Sequence, residues 1–114
     1  MSILNGIIEI QNDHLTEQQQ EHIMTLLMMD NHNVKLIEHH DEGTITFIYE
    51  KKQSTINEIE NILYYLQDQY FNNLVVVEIE LFNEKNELIK EYYFDSFLFD
   101  QHIIVIEDNI ESKL

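Results

Sequence analysis

VVVEIELFNEKNELIKEYYFD, residues 75–95, reads as two strands joined by a short turn. Both runs are rich in Val, Ile, Phe and Tyr, the residue types that suit a pleated, half-buried surface. Strands joined this closely pair antiparallel, because a parallel pair needs a long crossover. Val75, Val77, Ile79 and Leu81 alternate with Val76, Glu78, Glu80 and Phe82. In the second strand Leu88, Lys90, Tyr92 and Phe94 alternate with Ile89, Glu91, Tyr93 and Asp95. A core face needs the apolar sets together, since a one-residue slip inverts every side chain. A turn centred on Lys85 and Asn86 achieves this by pairing Ile79 with Tyr92 and Val77 with Phe94.

The same register sets Glu80 opposite Glu91, Glu78 opposite Tyr93 and Val76 opposite Asp95 on the other face. Like charges directly opposed cost a few tenths to about 1 kcal/mol. A cost retained in a sequence points to function. Tyr93, Phe82 and Ile89 are expected among these acids, a mixture suited to meeting Lys and Arg groups. Two other readings stay open. A five-residue turn would set Glu80 against Lys90, and acids on an exposed sheet face also guard against aggregation.

Outward from the hairpin, residues 3–10 form a short strand. A helix follows, with Thr16 as N-cap and Gln19 as its capping-box partner. Its core stripe is Ile23, Met24, Leu27 and Met28. Residues 34–40 and 44–51 make a second hairpin around Asp41-Glu42-Gly43, where Gly43 supplies the positive φ of a three-residue loop. A second helix starts at the Thr55/Glu58 capping-box pattern. It carries an apolar stripe of Ile56, Ile59, Ile62, Leu63, Leu66 and Tyr70, and Asn72-Asn73 ends it. After the opening hairpin, "SFLFD" and "HIIVIED" supply one or two further strands, and the polar tail frays. The fold class is α+β. The order is the ferredoxin-like βαββαβ with extra C-terminal strands, which predicts an antiparallel sheet with two helices on one face.

The chain has 114 residues, enough for one core, so residues 1–114 read as a single domain. Hydrophobic residues make up 44%, which marks a globular chain despite its charge. There is no cysteine, hence no disulfide, thiolate nucleophile or Cys-type zinc site. The N-terminus lacks the basic and apolar regions of a secretory signal, and no apolar run reaches the roughly 18 residues that span a membrane, so the cytoplasm is the expected compartment.

Charge is the outlying property. There are 22 Asp and Glu against 6 basic residues, all lysine, for a formal net charge of −16. A net charge of about 2–8 is usual for a small domain. The imbalance argues against direct nucleic-acid binding and phosphate handling, and it disfavours contact with anionic membrane surfaces. The partners that remain are cationic.

Chemistry-bearing patterns are absent. The six histidines, His14, His22, His32, His39, His40 and His102, form no HExxH and no i, i+4 helical pair. No calcium-loop or glycine-rich phosphate pattern occurs. Ser54 is explained by a helix start, and no serine sits in a nucleophile elbow. The chain therefore reads as non-catalytic, with no cofactor and no metal.

In small size, acidity and missing catalytic motifs the chain resembles DNA-mimic inhibitors of the phage type, including some anti-CRISPR proteins. That resemblance implies a surface that occupies the basic nucleic-acid-binding face of a partner protein, most naturally a nucleic-acid-binding enzyme. The residues expected to meet it are Glu78, Glu80, Glu91, Asp95, Asp100, Glu107 and Asp108. An immunity protein or antitoxin that neutralises a basic nuclease toxin would use the same chemistry. A third alternative is a ferredoxin-like small-ligand sensor or oligomeric subunit, with a patch built from Tyr64, Tyr65, Tyr92, Tyr93, Phe97 and Phe99. Monomer and homodimer are both compatible with the sequence.

Overall fold

Apolar residues alternate along most of the strand segments, so each strand offers one face to a core. A computed structural model describes residues 2–28, 34–54, 56–97 and 104–108. Their order is β1 (Ser2–Gln11), α1 (Glu17–Met28), β2 (Val34–His39), β3 (Thr44–Ser54), α2 (Ile56–Gln69), a 3-10 turn (Phe71–Asn73), β4 (Leu74–Phe82), β5 (Leu88–Asp95) and β6 (Val105–Asp108). The six strands form one antiparallel sheet in the spatial order β2-β3-β1-β4-β5-β6.

One face of the sheet carries the core. Leu4, Ile8 and Ile10 of β1 are buried beside Phe47 and Tyr49 of β3, Val77, Ile79 and Leu81 of β4, and Tyr92 and Phe94 of β5. Ile23 and Leu27 of α1 and Ile59, Leu63 and Leu66 of α2 join the same cluster, so both helices cover this face. The Tyr49 hydroxyl donates to the Leu27 carbonyl at 2.6 Å, tying β3 to the end of α1. Burial raises the Tyr49 phenol well above its ordinary pKa.

Local chemistry sets the boundaries. Thr16 and Gln19 form a reciprocal capping box, with Gln19 N–H donating to Thr16 Oγ1 at 3.2 Å and Thr16 N–H to Gln19 Oε1 at 3.0 Å. The Thr55 cap expected for α2 lies outside the described residues, and Ser54 ends β3 instead of starting the helix. The first hairpin closes with Gly43 at φ +65°, but His39 pairs with Thr44, so the loop runs from His40 to Gly43, one residue longer than expected.

Gly6 has φ +147°, and a Cβ there would strike the Glu78 carbonyl oxygen and lie 2.8 Å from Ile79 Cα. Only glycine lets β1 approach β4 this closely. Among the described residues no helix is long and apolar enough to cross a membrane.

Candidate functional site: an acidic open sheet face

The turn between β4 and β5 is built by Asn83. Its side-chain oxygen accepts from Lys85 N–H at 2.9 Å and Glu87 N–H at 3.0 Å, while Asn86 takes a positive φ of 59°. This turn sets the register read from the sequence. Ile79 pairs with Tyr92, Val77 with Phe94, Glu80 with Glu91, Glu78 with Tyr93, and Val76 with Asp95. The alternative that opposed Glu80 to Lys90 is not adopted, because Lys90 pairs with Leu81.

The face away from the helices has no element of the described fold packed across it. Register places Glu50, Asn5, Glu80, Glu91 and Glu107 in one row across β3, β1, β4, β5 and β6. Neighbouring strands lie about 4.8 Å apart, so Glu80, Glu91 and Glu107 stand at close, regular spacing. The adjacent row is Ile48, Ile7, Glu78, Tyr93 and Val105, with Lys35 at its β2 end. The next contains Ile37, Thr46, Glu9, Val76 and Asp95. No ion pair or hydrogen bond among the described residues engages the side chains of Glu50, Glu78, Glu80 or Glu91. A shallow depression of about 360 Å³ lies between Glu78 and Glu80 on one strand and Glu91 and Tyr93 on the next.

Glu78, Glu80, Glu91, Asp95 and Glu107 therefore share one face. Asp95 also works locally, accepting the Phe97 amide at 2.9 Å. Glu107 accepts the Tyr93 hydroxyl at 3.0 Å, and this bond is the main cause that raises the Tyr93 phenol pKa. Asp108 is not brought to this face. Successive strand residues point oppositely, and Asp108 lies 3.3 Å from Lys90 on the helix side. Asp100 lies outside the described residues.

Lys90 also donates to Glu60 of α2 at 2.5 Å, and both side chains are only 15% exposed. The bond to Glu60 is the main cause holding the Lys90 pKa above its ordinary value. Burial, then the Glu60 carboxylate, push the nearby Tyr92 phenol up as well. This cluster spends one of the few cations on the core side, away from the acidic row.

Ile89, expected among the acids, packs instead against the core. The register shifts between Leu81 and Phe82, so Phe82 pairs with Leu88, and this bulge turns Ile89 toward the helices. Glu50 and Glu9 are members of the face that the hairpin alone does not reveal. Their signal was present in alternation, because each flanks a buried residue, Tyr49 and Ile8 or Ile10 respectively. Their proximity to Glu80 depended on strand order.

Among the described residues, the aromatic side chains of the sensor alternative do not come together in one patch. Tyr92 is core, Tyr65 packs edge-on against His22 at 5.3 Å, and Phe99 lies outside the described residues. Tyr64 is exposed on α2, whereas Tyr93 belongs to the open face and Phe97 follows β5. Among the described residues no group of three or more His, Asp or Glu is placed to hold a metal. No protein-family model, no curated protein and no solved structure matches the chain.

Proposed function

We propose that this protein is a non-catalytic acidic binding protein whose open sheet face occupies the basic nucleic-acid-binding surface of a partner protein, in the manner of a DNA mimic. The observation that carries this reading is the row Glu50, Glu80, Glu91 and Glu107. Glu80, Glu91 and Glu107 stand on neighbouring strands close enough to repel, Glu50 continues the row beyond Asn5, and no ion pair among the described residues engages any of the four. A duplex presents a phosphate charge about every 1.7 Å of axis, so only a comparably dense anionic surface competes for the same channel. Half-buried Ile7, Ile48 and Tyr93 beside the row supply apolar contact for lysine and arginine stems.

Pairing of two copies through this face is disfavoured by the same charges, because a two-fold contact would bring acidic rows together. The scaffold is read as ferredoxin-like. The order β2-β3-β1-β4, with β1 and β3 central and both helices on one side, supports that reading, and β5 and β6 extend the sheet. Cytoplasmic action follows from the nature of the target.

The test is affinity capture on the immobilised protein from a lysate of the cells in which the protein acts, washed in steps of rising salt. Retention of a basic nucleic-acid-binding protein that duplex DNA displaces supports mimicry. If that protein is a nuclease toxin, the role is that of an immunity protein or antitoxin using the same face. Retention of a metabolite, or only of a second copy of this chain, would contradict the proposal.

A further inference from the structure

The acids of the open face crowd onto its β4–β6 half, where Glu78, Glu80, Glu91, Asp95 and Glu107 stand. The half built from β2, β3 and β1 has a different character. Ile7 is the cross-strand neighbour of Ile48, and Ile37 stands opposite Thr46, on the diagonal from Ile48. Diagonal neighbours lie about 7–8 Å apart, within reach of long side chains, so the three isoleucines form one patch over three strands. Ile7 and Ile48 are half-buried, and Ile37 is 45% exposed.

Ile37 is placed where apolar side chains are usually avoided. Among the described residues it is the one large hydrophobic of a strand left exposed, and its strand, β2, is an edge of the sheet. Edges are commonly guarded by charge, proline or a bulge, because an apolar edge invites association. β2 has neither proline nor bulge, and it runs in unbroken register with β3. The polar side chains beside the patch are turned to one another. Thr46 Oγ1 donates to Glu9 Oε1 at 3.2 Å, and His39 Nε2 lies 3.0 Å from the same Thr46 oxygen. The hydroxyl has one proton, which goes to the carboxylate, so His39 Nε2–H is the donor to Thr46. These bonds leave the isoleucine methyl groups as the main contact surface of this half.

We infer that this patch meets an apolar ledge bordering the cationic surface of the partner protein, and that Ile7, Ile37 and Ile48 decide which basic protein is bound. The inference rests on the acidic-face reading above and adds the contact that charge does not supply. Charge complementarity sets the occupant. Ile7 lies directly beside Glu78 in one row, so a surface that covers the patch also covers acids and must carry cations there. Nucleic acid is repelled by those acids, and a second copy would bring the acids of two chains of net charge −16 together. Complementary charge steers the encounter and suits many basic channels alike. A packed apolar contact favours the one channel that has a matching ledge.

The test is a titration of the ¹⁵N-labelled protein with two synthetic peptides, tetralysine and tetralysine extended by Leu-Val-Leu, followed by amide chemical shifts at low and raised salt. Both peptides should move Glu78, Glu80 and Glu91. The extended peptide alone should also move Ile7, Ile37 and Ile48. It should bind about tenfold more tightly and keep that advantage as salt rises, because apolar contact is not screened. Ile7→Thr/Ile37→Thr/Ile48→Thr keeps the β-branched shape that strands favour, and it should abolish the advantage while leaving tetralysine binding unchanged. Ile37→Thr alone, at the exposed edge, should reduce the advantage and decides the matter if the triple variant does not fold. Equal binding of the two peptides, or an advantage that survives these substitutions, would overturn the inference and leave the acidic face standing. Shifts at the isoleucines with none on β4 or β5 would overturn the acidic-face reading and leave the apolar contact standing. No shifts with either peptide would overturn both. A wild-type dimer in sedimentation velocity that the isoleucine variant dissolves would overturn the assignment to a partner, because the patch would then join two copies.

Discussion

Replacing Glu91 by glutamine removes the carboxylate that stands between Glu80 and Glu107, its cross-strand neighbours on β4 and β6. Glu91 has no hydrogen bond or ion pair among the described residues to lose. Two unit charges about 5 Å apart in water repel by about 0.8 kcal/mol. At physiological salt the Debye length of about 8 Å reduces each repulsion to about 0.45 kcal/mol, so two neighbours sum to about 0.9 kcal/mol. At 0.01 M salt, with a Debye length of about 30 Å, the sum rises to about 1.4 kcal/mol, and at 1 M it falls to about 0.3 kcal/mol. Glu91→Gln should therefore stabilise the fold, most at low salt. Urea unfolding at the three salt concentrations measures this, because urea leaves ionic strength unchanged. An unchanged or lower stability at 0.01 M salt would refute the reasoning, since it would mean that the carboxylates turn apart and the row is not a concentrated charge.

Gly6→Ala should destabilise by about 3 kcal/mol or more, because a strained φ and a backbone collision act together; a urea midpoint unchanged from wild type would disprove the close approach of β1 and β4. Lys90→Met should cost about 3–5 kcal/mol by leaving Glu60 buried without its cation, and adding Glu60→Leu should restore most of it. A double variant no better than the single one would show that the pair is not the unit that matters. Alkaline pH should unfold the protein. Tyr49, Tyr92 and Lys90 all have raised pKa values in the folded state, so the fold holds protons that the unfolded chain has released above about pH 10. Stability contributed by these groups is complete below that pH and falls as pH rises through their folded values. Each such proton adds a slope of about 1.4 kcal/mol per pH unit, and a flat profile between about pH 10 and 11.5 would contradict the burial of these groups.

Local signals in the sequence carried the elements well. The capping box at Thr16 and Gln19 needs only three residues of spacing, and it forms as read. The β4–β5 register follows from alternation within 21 residues, and every pairing expected from it occurs. What escaped was set by geometry that a short stretch does not contain. The bulge opposite Phe82 adds one residue to β5, which sends Ile89 to the core although simple alternation sends it outward.

Adjacent strand residues take opposite faces, so Glu107 joins the open face while Asp108 turns to Lys90 on the other side. Alternation alone turns Glu50 and Glu9 away from the core. Their place beside Glu80 and Val76 required knowing that β1 lies between β3 and β4.

The most direct test of the acidic face uses the captured partner and a variant carrying Glu80→Gln, Glu91→Gln and Glu107→Gln. Its dissociation constant is measured against salt concentration beside that of the wild type. Phosphate-like contacts make the logarithm of the affinity fall linearly with the logarithm of the salt concentration, with a slope set by the number of charges neutralised. The expected result is a variant that stays folded, binds more weakly at low salt and shows a shallower slope. A variant with wild-type affinity and slope would contradict the proposal and place the interface elsewhere on the molecule.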